Sequence, residues 1–202
     1  MLDKTLEYYN KHVDEFVAET LNVDFTKTQD KFLCMLQKGD YILDFGCGSG
    51  RDTKYFLEHG MRVDAMDGSQ ELCKMASEYT GVNVTCALFQ ELNEIEKYDG
   101  IWACSSILHL QKKELILVFQ KMISALKPDG ILYASFKYGE YEGMRNGRYF
   151  TDFTKETFHN FLQDLDQIHL CEDWITGDVR SGREGEKWLN LILKKRSDII
   201  TN

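Results

Sequence analysis

The sequence predicts one α/β domain built on a doubly wound, mostly parallel sheet. Between Tyr41 and Phe136, short apolar segments of strand character alternate with amphipathic helical segments. This alternation is typical of parallel strands joined by crossover helices on both faces. The last two apolar segments, Ile168 to Thr176 and Lys187 to Lys194, have no helical segment between them, and we expect an antiparallel hairpin at the sheet edge. A chain of 202 residues is long enough for one substantial core.

The order of the elements follows from apolar periodicity and from residues that start and stop helices. An apolar stripe from Leu2 to Gln37 predicts two helices, separated by a turn at Asn22 to Asp24. A long connection rich in glycine, tyrosine and arginine is expected from Gly139 to Thr151. The predicted strands are 41–45, 61–66, 82–87, 98–104 and 131–136, and the predicted helices beyond the first strand are 52–59, 70–79, 110–126 and 155–165.

The charge of the chain excludes some classes of partner. A formal net charge of −9 and a pI of about 5.1 give an average field that repels a phosphate backbone or an anionic membrane. We therefore expect neither nucleic acid nor membrane as a partner. The N-terminus lacks a basic segment followed by an apolar stretch, and no apolar run approaches ~18 residues. We expect a cytoplasmic protein.

The cysteines predict neither a metal site nor a disulfide framework. The six cysteines lie far apart without a C-x-x-C pair, so the ligand spacing of structural zinc sites is missing. Most of them lie inside apolar runs. They are expected to be reduced thiols of the core, as in a cytoplasmic protein.

One glycine-rich turn organises the predicted site. The apolar strand that begins at Tyr41 ends in Gly46, Gly48 and Gly50, and a polar, helix-starting segment follows. Such a turn lets a ligand lie against the backbone, near the N–H groups of the next helix. Arg51 stands where a dinucleotide fingerprint needs its last glycine, and no G-K-[ST] follows. Neither pyrophosphate motif is met.

A second acidic position supports a nucleoside ligand. Asp67 ends the second predicted strand, 21 residues after Gly46. The carboxyl ends of parallel strands meet at one edge of the sheet, so Asp67 is expected to lie near the glycine turn. A carboxylate there can accept hydrogen bonds from both hydroxyls of a ribose. The sequence Asp-Gly-Ser is also favourable turn chemistry without any ligand.

These residues together resemble a known motif series. Ile42 to Gly50, Asp67, Leu88 to Gln90 and Lys127 to Gly130 look like the motifs of class I S-adenosylmethionine-dependent methyltransferases, over about residues 25 to 136. Further stretches resemble the tellurite-resistance-like small methyltransferases over nearly the whole chain: Tyr8 to Asn10, Ser135 to Gly139, Gly147 to Phe150, Thr176 to Arg180 and Trp188 to Asn190.

The resemblance implies a fold, a cofactor and an organisation. The fold would be a seven-stranded Rossmann-like methyltransferase sheet that ends in the edge hairpin, and the cofactor S-adenosyl-L-methionine. The whole chain, 1–202, would be one methyltransferase domain. Its parts would be an N-terminal helical lid over 1–38, a cofactor-binding core over 39–138, and substrate-side connections with the edge hairpin over 139–202.

The resemblance also implies roles for the cofactor site. Asp44 with the backbone of Gly46 and Gly48 would hold the methionine end, Asp67 the ribose, and Phe89 with Gln90 the adenine. Cys104 and Ser105 would present backbone near the amino group, Arg51 would pair with the carboxylate, and Tyr9 or its neighbour Tyr8 would close over it. Cys47, Gly68 and Ser69 belong to the same two turns and are assigned to the same site.

The acceptor side is predicted from residues at the strand ends and in the later connections. The candidate catalytic residues are His109, Lys137, Tyr138, Arg148 and Arg180. Cations grouped in an acidic protein suit a small anionic acceptor or an oxyanion. Pairing with acidic neighbours explains the same residues equally well, and these neighbours are Glu140, Glu142, Asp152, Glu184 and Glu186. A base is required only if the attacking atom must lose a proton.

The leading hypothesis is a methyltransferase that acts on a small molecule or an oxyanion. Two alternatives stay open, a nicotinamide-dependent oxidoreductase, which Asp67 would tolerate, and a protein that binds the cofactor without catalysis. We expect a monomer or a homodimer.

Overall fold

The computed structural model describes residues 2–197. The strands are β1 (Tyr41–Phe45), β2 (Arg62–Asp67), β3 (Val84–Cys86), β4 (Tyr98–Ala103), β5 (Leu126–Lys137), β6 (Glu142–Arg145), β7 (Arg148–Thr151), β8 (Ile168–Gly177) and β9 (Lys187–Lys195). The helices are α1 (Leu2–Lys11), α2 (Val13–Thr20), α3 (Thr26–Leu33), α4 (Arg51–Glu58), α5 (Gln70–Thr80), α6 (Lys112–Ala125) and α7 (Lys155–Leu162), with 3₁₀ turns at Phe89–Glu91 and Ile107–His109.

Seven strands form the central sheet in the order β3-β2-β1-β4-β5-β9-β8. The first five strands pair in parallel, and β9 pairs antiparallel with both β5 and β8. The predicted fold class is therefore confirmed, including the hairpin that ends the sheet. The strand order reverses between β1 and β4, which is where open parallel sheets bind ligands.

Alternate residues of the central strands bury opposite faces of the sheet. Leu43 and Ile101 pack with α6 and α7, whereas Ile42 and Trp102 pack with α3 and α4. This alternation follows from the two-residue period of a strand. Helices cover both faces of the sheet. The place where side chains from several strands can meet around a ligand is therefore the edge formed by the carboxyl ends of the strands.

The N-terminal region departs from the prediction, since it forms three helices and not two. The turn predicted at Asn22 to Asp24 is present, but a further break occurs at His12. His12 has non-helical dihedrals, its Nδ1 lies 2.8 Å from the carbonyl oxygen of Tyr8, and its ring stacks on that of Tyr8. The Tyr8 carbonyl also accepts from the backbone N–H of His12 at 3.0 Å, so this helical bond is kept and the break lies in the dihedral angles of His12.

The connection expected from Gly139 to Thr151 also differs, because it contains the hairpin β6–β7. Its turn is Asn146-Gly147, with φ of +49° and +79°, between the paired residues Arg145 and Arg148. Two consecutive positive φ values define the tight turn that Asn-Gly favours. This dipeptide was an available sequence indication of the hairpin, which the prediction of a long connection did not use.

The prediction that most cysteines are core thiols is only partly right. All six are free, and Cys47 and Cys73 are buried, but Cys34, Cys86 and Cys171 are exposed. Cys86 and Cys171 lie on β3 and β8, the two outermost strands, where the sheet is least covered. Within residues 2–197 no helix combines the length and apolarity needed to cross a membrane.

Candidate active site

A cavity of about 520 Å³ lies at the carboxyl ends of the parallel strands, under α1 and α2. All but three of the predicted site residues line it. They are Tyr9, Gly46, Cys47, Gly48, Arg51, Asp67, Gly68, Phe89, Cys104, Ser105, His109, Lys137, Tyr138, Arg148 and Arg180. The fold therefore brings together residues from five strand ends, the N-terminal helices and both later connections.

The N-terminal helices pack directly on the two turns of the site. A Cβ on Gly48 would lie 3.0 Å from the ring of Phe16, and one on Gly68 would lie 2.8 Å from Leu6. Tyr9 lines the cavity, whereas Tyr8 contacts the guanidinium of Arg148 from outside that lining. Tyr9 is thus the tyrosine that faces the site, which resolves the choice left open by the sequence.

Three N–H groups of the glycine turn are used within the protein. The N–H groups of Gly46 and Cys47 both donate to the carbonyl of Met66, and that of Gly48 donates to the Asp67 carboxylate at 3.0 Å. The turn is thereby fastened to the end of β2. What it presents to a ligand is a flat backbone surface, because side chains are missing at Gly46 and Gly48.

Asp67 is held at the centre of the site by backbone donors. Its Oδ1 accepts from Ser69 N at 2.8 Å and its Oδ2 from Gly48 N at 3.0 Å. Burial raises the pKa of the carboxyl, and these hydrogen bonds act against the rise. Each oxygen retains a second acceptor position, so the carboxylate can still accept two hydroxyl donors.

Three predicted site residues, Asp44, Ser69 and Gln90, lie outside the cavity lining. Asp44 is buried beneath the turn, accepts from Thr53 Oγ1 at 2.5 Å, and has a pKa raised to about 8 by burial and by nearby Asp52. Ser69 caps α5 and donates to Asn10 of α1. The Oε1 of Gln90 is buried and accepts no hydrogen bond from the described residues.

Arg51 is fixed by a carboxylate that the sequence reasoning missed. Its Nε and Nη2 donate to the two oxygens of Asp52 at 2.7 and 2.9 Å. Gln29 and Trp102 donate to the same carboxylate at 2.7 and 2.8 Å. Burial acts to lower the pKa of the Arg51 guanidinium. The charge and hydrogen bonds of Asp52 have the larger combined effect and raise this pKa. The adjacent Arg-Asp pair at the start of a helix was the available sequence indication.

Tyr9 and His109 form a hydrogen-bonded pair in the wall of the cavity. The Nδ1 of His109 lies 2.6 Å from the carbonyl oxygen of Tyr149, which can only accept, so Nδ1 carries the proton. Nε2 then accepts from the Tyr9 hydroxyl at 2.9 Å, and Arg148 Nη1 donates to the same hydroxyl at 3.3 Å. Burial lowers the pKa of His109 to about 4. The imidazole is therefore neutral at pH 7, with both nitrogens engaged by the protein.

This burial predicts an acid-sensitive stability. The unfolded chain protonates His109 near pH 6.5, whereas the folded chain protonates it only near pH 4, so stability is lost as the pH falls through this interval. The free energy of unfolding should fall by roughly 3 kcal/mol from this residue. We expect His109→Asn, which keeps a donor for the Tyr149 carbonyl, to remove about one proton from the pH dependence in urea denaturation between pH 4 and 6.5.

The matched control is His59→Asn. His59 is exposed, and its Nδ1 likewise lies 2.7 Å from a backbone carbonyl oxygen, that of Tyr55. An equal loss of pH dependence in both variants would contradict the role of burial at His109.

Lys137 and Arg180 converge on a second carboxylate that the sequence reasoning missed, Asp178. Arg180 donates to it through Nε and Nη2 at 2.9 and 2.6 Å, Lys137 lies 3.3 Å away, and Trp188 donates at 3.0 Å. Burial acts to raise the pKa of Asp178, but the hydrogen bonds from Arg180 and Trp188 hold it well below its usual range. Lys137 also pairs with Glu186.

The expected ion pairing is therefore present, but with partly different partners. Arg145 pairs with Asp152 and Arg183 with Glu19 of α2. Seven cationic side chains line the cavity against five carboxylates, in a protein whose net charge is −9. Among the residues described, no three His, Cys, Asp or Glu side chains group in a way that could hold a metal ion.

Comparison with known proteins agrees with this geometry. A family model described as a methyltransferase domain matches residues 42–130. The protein YqeM of Bacillus subtilis, named as a methyltransferase, is 32% identical over 110 residues, which are 49% of this chain and 44% of that protein. The N-terminal Xaa-Pro-Lys N-methyltransferase 1 of Xenopus tropicalis is 34% identical over 100 residues, 46% of this chain and 45% of that protein. The chain thus spans less than half the length of these curated relatives.

A solved structure extends the likeness to nearly the whole chain. The 1,6-didemethyltoxoflavin-N1-methyltransferase of Burkholderia thailandensis, solved with S-adenosylhomocysteine bound, has a TM-score of 0.76 and 22% identity, covering 95% of this chain and 85% of that one. At this identity the comparison concerns the fold alone. Residues 42–130 thus match a methyltransferase-domain family model, and the sheet that continues to Lys195 has the fold of that solved structure.

Proposed function

We propose that the protein transfers a methyl group from S-adenosylmethionine to a small-molecule acceptor. The observation that supports this most directly is one continuous cavity, which joins the glycine turn and Asp67 to the cations of the later connections. The first part suits a nucleoside with a charged amino-acid end, and the second part suits an acceptor. Within this activity we also propose membership of the tellurite-resistance-like small methyltransferases, on the stretches from Ser135 to Gly139 and from Thr176 to Arg180.

The residues present fit the cofactor. Gly46 and Gly48 line the cavity with backbone where a Cβ would collide with Ser106 or Phe16, and the Asp67 carboxylate keeps two acceptor positions for ribose hydroxyls. The ring of Phe89 lines the cavity beside them, suited to an adenine.

The chemistry needs few protein groups. S-adenosylmethionine supplies an electrophilic methyl group on a positively charged sulfur. The protein then has to align the acceptor and exclude water, and proximity alone can supply much of the rate. Phe16 and Leu6 close the two turns from above. Neutral His109 accepts a hydrogen bond from the Tyr9 hydroxyl and so orients Tyr9. In this arrangement the imidazole is not free to act as a base.

Two measurements test the function. We expect isothermal titration calorimetry to show binding of S-adenosylhomocysteine and none of NAD, since the turn lacks the last glycine of the dinucleotide fingerprint. Incubation with methyl-labelled S-adenosylmethionine and separate acceptors, namely tellurite, selenite, thiols and small carboxylates, should give a labelled product with at least one of them. A Xaa-Pro-Lys peptide is the comparison acceptor. Binding of NAD without S-adenosylhomocysteine would overturn the proposal, and cofactor binding without product from any acceptor would favour a non-catalytic binder.

A further inference from the structure

The arginines of the cavity differ in which edge of the guanidinium is free. The Nε and Nη2 groups point the same way and together form the edge that binds two oxygens of an anion. In Arg51 this edge is given to Asp52, and in Arg180 it is given to Asp178. Arg145 gives Nη1 and Nη2 to Asp152. These three cations are neutralised within the protein.

Arg148 is different. Its Nη1 donates to the Tyr9 hydroxyl, but its Nε is buried without a hydrogen-bond partner in the part of the chain that the structure describes. Its Nη2 donates to no described residue either, and no described carboxylate lies within 4.0 Å of its guanidinium. The edge that suits a two-oxygen anion thus has no partner among the described residues, on a side chain that lines the cavity.

Aromatic rings hold this guanidinium in place. Its central carbon lies 4.5 Å from the ring centre of Tyr8, 5.3 Å from that of Phe150 and 5.6 Å from that of Tyr9. Ring faces attract the cation but provide no acceptor for its in-plane N–H groups. The turn at Asn146-Gly147 and the pairing of β6 with β7 fix the backbone that carries it. A charged pair of donors is therefore held in a fixed position without an acceptor. A buried N–H without a partner is costly, and an anion bound there would remove that cost.

We propose that the Nε and Nη2 groups of Arg148 bind a two-oxygen anionic group, a carboxylate or two oxygens of an oxyanion, on the methyl acceptor. This inference rests on the proposed function. The other source of the same chemistry is the carboxylate of the cofactor itself. Arg148 shares none of the contacts of Arg51, which borders the glycine turn, whereas Arg148 lies on the hairpin beyond the fifth strand. Arg148 thus belongs to the later connections, which we assign to the acceptor, and the test below separates this source from the cofactor.

The test uses the whole chain and two kinds of probe. Binding of S-adenosylhomocysteine is first measured by calorimetry in the wild type, Arg148→Gln, Arg148→Lys and the exposed charge-matched control Arg62→Gln. The saturated proteins are then titrated with benzoate, acetate and selenite, and with benzamide and acetamide as neutral analogues. The Nε–H resonance of Arg148, identified by its absence in Arg148→Gln, reports contact in NMR spectra independently of activity.

We expect an anion to shift this resonance in the wild type and its neutral analogue to leave it unchanged. Arg148→Gln should weaken anion binding about ten-fold, the effect of losing one charge-assisted pair, and leave S-adenosylhomocysteine affinity within about two-fold. Arg148→Lys, which keeps the charge but loses the two-donor edge, should also weaken it, and Arg62→Gln should not.

Three results would overturn the proposal. One is a loss of S-adenosylhomocysteine affinity of about ten-fold in Arg148→Gln but not in Arg62→Gln, which would assign the edge to the cofactor carboxylate. Another is equal anion binding by the wild type and Arg148→Gln. The third is no anion binding by the saturated wild type. A wild type that fails to bind S-adenosylhomocysteine would instead count against the proposed function itself.

Discussion

Replacing Asp67 by Asn is expected to weaken the binding of S-adenosylhomocysteine roughly 100-fold, because two hydrogen bonds from ribose hydroxyls to a charged acceptor are replaced by weaker ones. The amide also brings an N–H₂ group toward the backbone donors of Gly48 and Ser69, which now meet carboxylate oxygens at 3.0 and 2.8 Å. Calorimetry at constant pH measures the dissociation constant directly.

The control for this prediction is Asp164→Asn, which removes the same charge from an exposed position that does not line the cavity. Its dissociation constant should match that of the wild type within about two-fold, since an exposed charge contributes little at this distance. Unchanged affinity in Asp67→Asn would show that the carboxylate does not hold the ribose.

Replacing Gly46 by Ala is expected to lower the free energy of unfolding by about 3 kcal/mol and to abolish cofactor binding. The residue has a φ of +85°, and an added Cβ would overlap the Cβ of Ser106. Left-handed backbone costs an L-residue roughly 1–2 kcal/mol, and overpacking adds about 1–3 kcal/mol. Urea denaturation monitored by circular dichroism gives the stability.

Gly81→Ala separates the two contributions to that loss. Gly81 also has a positive φ, +78°, but an added Cβ would meet no atom within 4 Å. We expect a loss of about 1 kcal/mol from backbone strain alone, with cofactor binding retained. Equal losses in the two variants would mean that Ser106 gives way, and that close packing is not what makes Gly46 necessary.

Much of the fold could be predicted from local patterns. The alternation from Tyr41 to Phe136 and the missing crossover before β9 are properties of neighbouring residues, and they led to the observed sheet. The two local errors have local causes. The helix is interrupted by the non-helical dihedral angles of His12, and the Asn146-Gly147 turn forms a hairpin in a segment that looked irregular.

The residues of the candidate site also differ in how well the sequence predicted them. The cofactor half lies on strand ends close to one another in the sequence, so the glycine turn, Asp67 and Phe89 could be placed from spacing and resemblance. Asp178 and Asp52 were missed because each also gathers donors from distant parts of the chain, as Asp178 does from Lys137. Asp52 gathers donors from Gln29 and Trp102, 23 and 50 residues away.

The sequence by itself determined the α/β class and the position of the glycine turn, because each depends on residue types at short spacing. Only the tertiary structure decided which cations stay available. Arg51 and Arg180 are equally basic in the sequence, yet folding satisfies both with a neighbouring carboxylate and leaves the Nε of Arg148 without a partner among the described residues. The charge of an arginine can be read from the sequence. Whether a carboxylate neutralises it depends on the distance between the two groups, which only the folded chain sets.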